Sequence, residues 1–252
     1  MNTPVNLHIH PLPELSKAVA SFISQLSREA IEMHNHFTIA LSGGSLPKTL
    51  FPALISEPFY TQINWQKWRV FWADERCVPQ TSPDSNYYLA REYLFRHVNI
   101  PPTQIYTPDT SLKPSGAADA YQATLRQIFK PAPEQLPRFD LVLLGMGEDG
   151  HTASLFPHHP ILRETERWVA SISDSPKPPP ERITLTLPVI NNARHVAFII
   201  TGASKSAIVQ HILEKPHTDR PLPAHMVNPA NGTLHWFIDE SASARLKRNR
   251  LH

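Results

Sequence analysis

The sequence predicts an α/β fold, a mostly parallel sheet with helices on both faces. Three observations carry this. Short, continuously apolar runs recur along the chain, segments of helical periodicity alternate with them, and polar, glycine-bearing residues gather directly after the runs. Strands that are apolar on both faces fit a sheet buried on both sides, and parallel pairing needs a crossover, usually a helix, between successive strands.

The elements follow in order. From Leu15 the apolar residues Leu15, Ala18, Val19, Phe22, Ile23, Leu26 and Ala30 keep helical spacing, with Pro11 and Pro13 ahead of the start, so an amphipathic helix is expected there. "FTIAL", Phe37 to Leu41, is a strand ended by "SGGS". "LPKTLFPALI" after it is a helix with Pro47 in its first turn, where the missing N–H costs no hydrogen bond. "WRVFWA" is the next strand, Ser85 to Phe95 and Ser115 to Phe129 are helices, and "FDLVLLG" is a strand. "RITLTL" and "HVAFIIT" follow as strands of the same sheet, and "SKSAIVQHIL" as a helix. The 26 prolines cluster in connections such as "PPTQIYTPD", "KPAPEQLP" and "DSPKPPPE". Each connection is short, and neither a repeat nor a shift of composition divides the chain, so residues 1–252 are expected to form one domain.

Charge and cysteine usage narrow the function. Lys plus Arg total 24 against 22 for Asp plus Glu, a balance that gives no general attraction to nucleic acid or to an anionic membrane. The one basic cluster, Arg245, Lys247, Arg248 and Arg250 in "ARLKRNRLH", reads as a solvated tail. Cys77 is the only cysteine, so an intrachain disulfide is impossible. The start of the chain lacks a basic region followed by an apolar one, and no apolar run approaches the roughly 20 residues that span a bilayer. The expectation is a cytoplasmic protein with a small-molecule partner, no nucleic-acid or membrane partner, and a monomer as the default state.

In open parallel sheets ligands bind beyond the carboxyl ends of the strands, and four stretches there carry chemistry. In "SGGSLPK", Gly43 and Gly44 allow close backbone approach while Ser42 and Ser45 add hydroxyls ahead of a helix N-terminus, an arrangement that suits a phosphate or carboxylate. An ordinary turn with a serine N-cap explains the same residues. "SLPK" also fits the S-x-x-K pattern of penicillin-recognising enzymes, but "KTG" is absent. "DERCVPQTSPDSN" sets Asp74, Glu75 and Arg76 together at a strand end, either as a surface ion-pair cluster or as site groups. Carboxylates near Cys77 would disfavour its thiolate and so a nucleophilic role.

"GMGEDGHTASLFP" places His151, the side chain whose ordinary pKa suits proton transfer at neutral pH, beside Glu148 and Asp149 in a turn punctuated by Gly145, Gly147 and Gly150. A structural histidine is the plainer alternative. A metal site from His151, His158 and His159 lacks a recognised ligand spacing. Fourth, Arg182 opens "RITLTLP" and Lys205 lies in "TGASK". Facing the "SGGS" loop, the two would complete a phosphate cage.

In this order, the four stretches resemble the 6-phosphogluconolactonase family, over nearly the whole chain. The related glucosamine-6-phosphate deaminases and isomerases share the glycine-rich loop and the "GxGxDGH" turn, but "HTASLFP" and "DERCVP" match the lactonase side. The resemblance implies a Rossmann-like α/β domain similar to the deaminase and ribose-5-phosphate isomerase group, with no cofactor and no obligatory metal. It implies phosphate binding by Ser42, Gly43, Gly44, Ser45, Arg182 and Lys205, and His151 as general base, with Asp74, Arg76 and Asp149 lining the site. One departure is Leu46, where the family's loop usually carries threonine. The implied reaction is hydrolysis of the δ-lactone of 6-phosphogluconate. His151 would be oriented by Asp149 or Asp74, and Arg76 would face the oxyanion or the phosphate. Alternatives are a hexosamine-6-phosphate deaminase or isomerase and a non-catalytic sugar-phosphate sensor.

Overall fold

The computed structural model describes residues 5–215 and 221–247. Within them the chain forms the strands β1 (Val5–His10), β2 (Phe37–Leu41), β3 (Trp68–Trp72), β4 (Asp74–Arg76), β5 (Leu141–Leu144), β6 (Val169–Ile172), β7 (Arg182–Leu185), β8 (His195–Ile200) and β9 (Thr233–Asp239). Six of them make one sheet in the order β1-β9-β8-β5-β2-β3, and every neighbouring pair in it is parallel.

The register of β5 shows why its run is apolar throughout. Leu141 and Leu143 pack into one apolar layer with Val19 and Ile23 of the Leu12–His34 helix and Leu50 of the Leu46–Leu54 helix. Val142 and Leu144 enter the other layer, with Leu125 of the Pro114–Phe129 helix and Val209 of the Ser206–Glu214 helix. Successive side chains of a strand point to opposite faces, so a strand with a core on each side has no polar position to spare.

Three expectations need correction. "RITLTL" does form a strand, but outside the parallel sheet: β7 is the centre of a second, three-stranded sheet in the order β4-β7-β6, antiparallel throughout. Apolar content marks a buried strand without saying which partner it takes. The first helix begins at Leu12 rather than Leu15, with Pro13 inside its first turn, a position where proline loses nothing. The helix expected from Ser85 to Phe95 is α-helical only over Asn86–Ala90 and continues as a π-helical turn over Arg91–Phe95. Strands β1, β4, β6 and β9 have no counterpart among the expected elements.

Ala73 joins the two sheets. Its N–H donates to Leu41 O at 2.8 Å and its carbonyl accepts from Leu185 N at 2.7 Å, so the chain leaves the parallel sheet there and enters the antiparallel one with Asp74 at the seam. No helix among the described residues is long and apolar enough to cross a membrane. Of the basic C-terminal cluster, Arg245 and Lys247 are exposed, whereas Arg248 and Arg250 lie outside the described residues.

Candidate active site

Strands β2 and β5 are neighbours, yet the chain leaves β2 for β3 on one side and β5 for β8 on the other. This reversal is the topological switch point, and the crevice at its carboxyl end is where this architecture binds ligands. The "SGGS" loop follows β2 there and the "GMGEDGH" turn follows β5.

The first wall is the Ser42 to Ser45 loop. A Cβ on Gly43 would lie 1.8 Å from Asn86 Oδ1, and Gly44 takes φ +68°, so only glycine fits both positions comfortably. Ser45 occupies the N-cap position of the Leu46–Leu54 helix, but its hydroxyl makes no capping bond. Ser42 is 6% exposed and its hydroxyl has no hydrogen-bond partner among the described residues. A buried hydroxyl left unpaired is costly, and one beside a helix N-terminus is poised to receive an anion.

The second wall begins at the sheet seam. Asp74 accepts from Ser154 Oγ at 2.8 Å and from Asn86 Nδ2 at 3.3 Å. Arg76 donates through Nη1 to Asp84 O at 2.8 Å, while its buried Nε has no partner among the described residues. Glu75 turns into the protein instead. Its carboxylate accepts from the backbone N–H groups of Arg76, Asn86 and Tyr87 at 2.7–2.8 Å. Burial pushes it up to about 7 against the pull of those bonds. Burial also pushes the Cys77 thiol up to about 11, helped by Glu181 and Glu75, which leaves it a poor nucleophile.

The third wall is the turn after β5. Gly147 N–H donates to His151 O at 2.9 Å, Gly150 N–H donates to Gly147 O at 3.0 Å, and Gly150 has φ +79°. The turn folds His151 back onto its own glycines: a Cβ on Gly147 would stand 2.0 Å from the imidazole Nδ1. Asp149 Oδ1 lies 2.5 Å from Nδ1 of His151 and also accepts from the His151 backbone N–H at 3.3 Å. Asp74, bound to Ser154 and Asn86, makes no hydrogen bond to this ring. An ionised carboxylate has no proton to give, so Nδ1 carries the hydrogen and Nε2 is the nitrogen that can accept one. The Phe156 ring lies 4.8 Å from the imidazole, centroid to centroid.

The charges of this pair follow from their surroundings. Burial lowers the His151 pKa below its ordinary value, with the Lys177 charge adding to that and the Asp149 bond and charge opposing it. Burial alone would raise Asp149, but the hydrogen bonds and charge of His151, with Lys177, outweigh it and hold the carboxyl below the usual range. At neutral pH the imidazole is therefore unprotonated and the carboxylate ionised.

Two cations complete the site. Arg182, 3% exposed, donates through Nε to Pro179 O at 2.9 Å and through Nη2 to Lys177 O and Pro178 O at 2.9 and 3.0 Å. Only its Nη1 edge, 3.4 Å from Ser154 Oγ, is turned from this backbone clamp. Lys205 ends the Ala203–Lys205 turn ahead of the Ser206–Glu214 helix. Burial lowers its pKa, with Glu148 opposing. Ser42, Gly43, Gly44, Ser45, Asp74, Arg76, His151, Arg182 and Lys205 line one cavity of about 220 Å³; Asp149 does not line it and backs His151.

Sequence reasoning missed Lys177, which also lines this cavity, and read "DSPKPPPE" as a plain connection. Leu46 lines it as well. His159 bonds Asp174 at 3.1 Å, and neither it nor His158 lines the cavity. Among the described residues no cluster of three or more His, Cys, Asp or Glu is arranged to hold a metal.

A glycine-bearing loop with an unpaired buried hydroxyl and a carboxylate-backed imidazole thus line one cavity at the switch point of a parallel sheet, an arrangement suited to small anionic molecules and to proton transfer. The model of the glucosamine-6-phosphate isomerase/6-phosphogluconolactonase family matches residues 12–236, and the chain belongs to that family. It is 43% identical over 246 residues to probable 6-phosphogluconolactonase 1 of Arabidopsis thaliana, covering 94% of this chain and 91% of the relative. It is 44% identical over 239 residues to probable 6-phosphogluconolactonase 3, chloroplastic, of Oryza sativa subsp. indica, covering 92% and 73%. Among solved structures, 6-phosphogluconolactonase from Trypanosoma brucei superposes with a TM-score of 0.85 at 32% identity, covering 97% of this chain and all of the other. A monomeric glucosamine-6-phosphate deaminase, at 18% identity and a TM-score of 0.76, shares the fold.

Proposed function

We propose that this protein is a 6-phosphogluconolactonase, hydrolysing 6-phospho-D-glucono-1,5-lactone to 6-phospho-D-gluconate in the oxidative pentose phosphate pathway. The observation that carries this reading is His151, its Nδ1 held by Asp149 at 2.5 Å, lining the same cavity as the Ser42 to Ser45 loop. The lactone is an activated ester, so the reaction needs a positioned water, a base and a partner for the oxyanion. No cofactor or covalent nucleophile is called for.

In the first step water attacks C1 as Nε2 of His151 takes a proton from it, and the carbonyl electrons move onto oxygen. Asp149 stabilises the resulting imidazolium, and Arg76 faces the oxyanion. In the second step the oxyanion collapses, the bond from C1 to the ring oxygen breaks, and His151 returns its proton to that oxygen as a hydroxyl. The Ser42 to Ser45 loop, Lys205 and the Nη1 edge of Arg182 hold the phosphate, so that C1 is delivered to His151. Asp74, fixed by Ser154 and Asn86, binds sugar hydroxyls and adds its negative field to the imidazolium.

We read the enzyme as a single cytoplasmic domain spanning residues 1–252, active as a monomer. Purified protein is expected to consume the lactone faster than its spontaneous opening and to release no ammonia from glucosamine 6-phosphate. Ammonia release without lactone consumption would replace this reading with a deaminase, and binding of the phosphorylated sugar without turnover of either would replace it with a sensor.

A further inference from the structure

Lys177 sits in "SPKPPPER", outside the regular elements, yet its placement is tightly built. Its carbonyl accepts from Ser175 Oγ at 2.8 Å and from Arg182 Nη2 at 2.9 Å, and its N–H donates to Ser175 Oγ at 3.2 Å. Arg182 also holds the carbonyls of Pro178 and Pro179. A buried guanidinium thus spends most of its donors fixing one three-residue segment. From that segment Lys177 reaches the catalytic turn, its Nζ 3.3 Å from Asp149 Oδ1 and 3.3 Å from Nδ1 of His151.

Because Nδ1 carries the proton it gives to Asp149, it cannot accept from Lys177. The short Nζ–Nδ1 approach is therefore a meeting of two donors on one carboxylate oxygen. It costs little while the ring is neutral and becomes a contact of like charges once the ring is protonated. Three groups converge on that oxygen: the imidazole, the backbone N–H of His151 and the ammonium.

We propose that Lys177 is a positioning residue for the reaction: docked on the carboxylate oxygen that orients His151, its ammonium holds the imidazole unprotonated and ready to act as the base. The charged groups that face the ring are Asp149 on its own turn, Lys177 from the segment before β7 and Asp74 at the start of β4. Arg76, Arg182 and Lys205 line the same cavity. Lys177 is thus the cation set closest against the ring, and Arg182 takes part chiefly as its mount. The inference rests on His151 being the base of the proposed hydrolysis.

The test is a titration of the His151 imidazole by NMR in the ligand-free protein, its signal assigned by its loss in His151→Asn, together with the pH profile of kcat/KM for the lactone. In Lys177→Gln the imidazole midpoint rises by roughly one pH unit and the acid limb of kcat/KM moves with it. Lys177→Arg, which keeps the charge, restores both. An unmoved midpoint in Lys177→Gln, with the fold intact by circular dichroism, overturns the proposal. So does a raised KM with an unmoved acid limb, which would make Lys177 a substrate ligand. If wild-type protein fails to turn over lactone, the functional reading falls while the imidazole midpoint still decides the role of Lys177.

Discussion

Two walls of the cavity, the turn after β5 and the loop after β2, are finished to different degrees. On the turn after β5 the polar groups satisfy one another: Asp149 takes the His151 ring, the His151 backbone and Lys177 on one oxygen, and Arg182 braces the segment that carries Lys177. On the loop after β2, Ser42 Oγ is buried without a partner among the described residues and Ser45 caps nothing. The difference separates two tasks. Proton transfer needs a base whose tautomer and charge are set before substrate arrives, whereas an anion-binding wall must keep donors in reserve for the ligand that will satisfy them. On the proposed function, the built wall serves the chemistry and the unfinished wall recognition.

Substitutions on the two walls should then separate kcat from KM. The largest effect is expected from His151→Ala, which removes the base and should lower kcat by roughly 10²–10⁴ with little change in KM; steady-state rates on the lactone decide it. Next comes Gly147→Ala. Its Cβ would stand 2.0 Å from Nδ1 and 2.4 Å from Asp149 Oδ1, so the pair must move, and a misplacement of about 1 Å costs on the order of 10² in kcat. Wild-type kcat in that variant would mean that the observed pairing is not the working one. Lys205→Ala should have the smallest effect and of a different kind. Loss of one charge-assisted hydrogen bond, about 1.5 kcal/mol, should raise KM roughly tenfold and leave kcat near wild type. A collapse of kcat there instead would move Lys205 to the chemistry.

The recognition wall was easier to read in the sequence than the built one. "FTIAL" followed by "SGGS" announces a buried strand, a tight turn and a helix N-terminus within a few residues, and the structure puts the loop at the switch point. His151 and Asp149 were legible because a histidine two residues from an acid in a glycine turn can meet it locally. What decided between Asp149 and Asp74 was the backbone of that turn, which the spacing alone does not report. Lys177 escaped because its partners are tertiary: nothing in "DSPKPPPE" says that a buried Arg182 fixes it against a turn that ends 26 residues earlier. The same limit explains the strands. β1 carries His8 and His10 in a half-exposed edge, and β4 is the polar triplet Asp74–Arg76, so neither looks like the apolar runs at the sheet centre. β7 looks like one and pairs elsewhere.

The account stands on a neutral His151 acting as the base, and the most direct test is the pH dependence of kcat/KM for the lactone beside the NMR midpoint of the same imidazole. Since burial and Lys177 depress that midpoint, activity should be full at neutral pH. It should fall through one protonation below the ordinary histidine value near 6.5, with the kinetic and spectroscopic midpoints coinciding. A rate that stays flat as the imidazole protonates would contradict it.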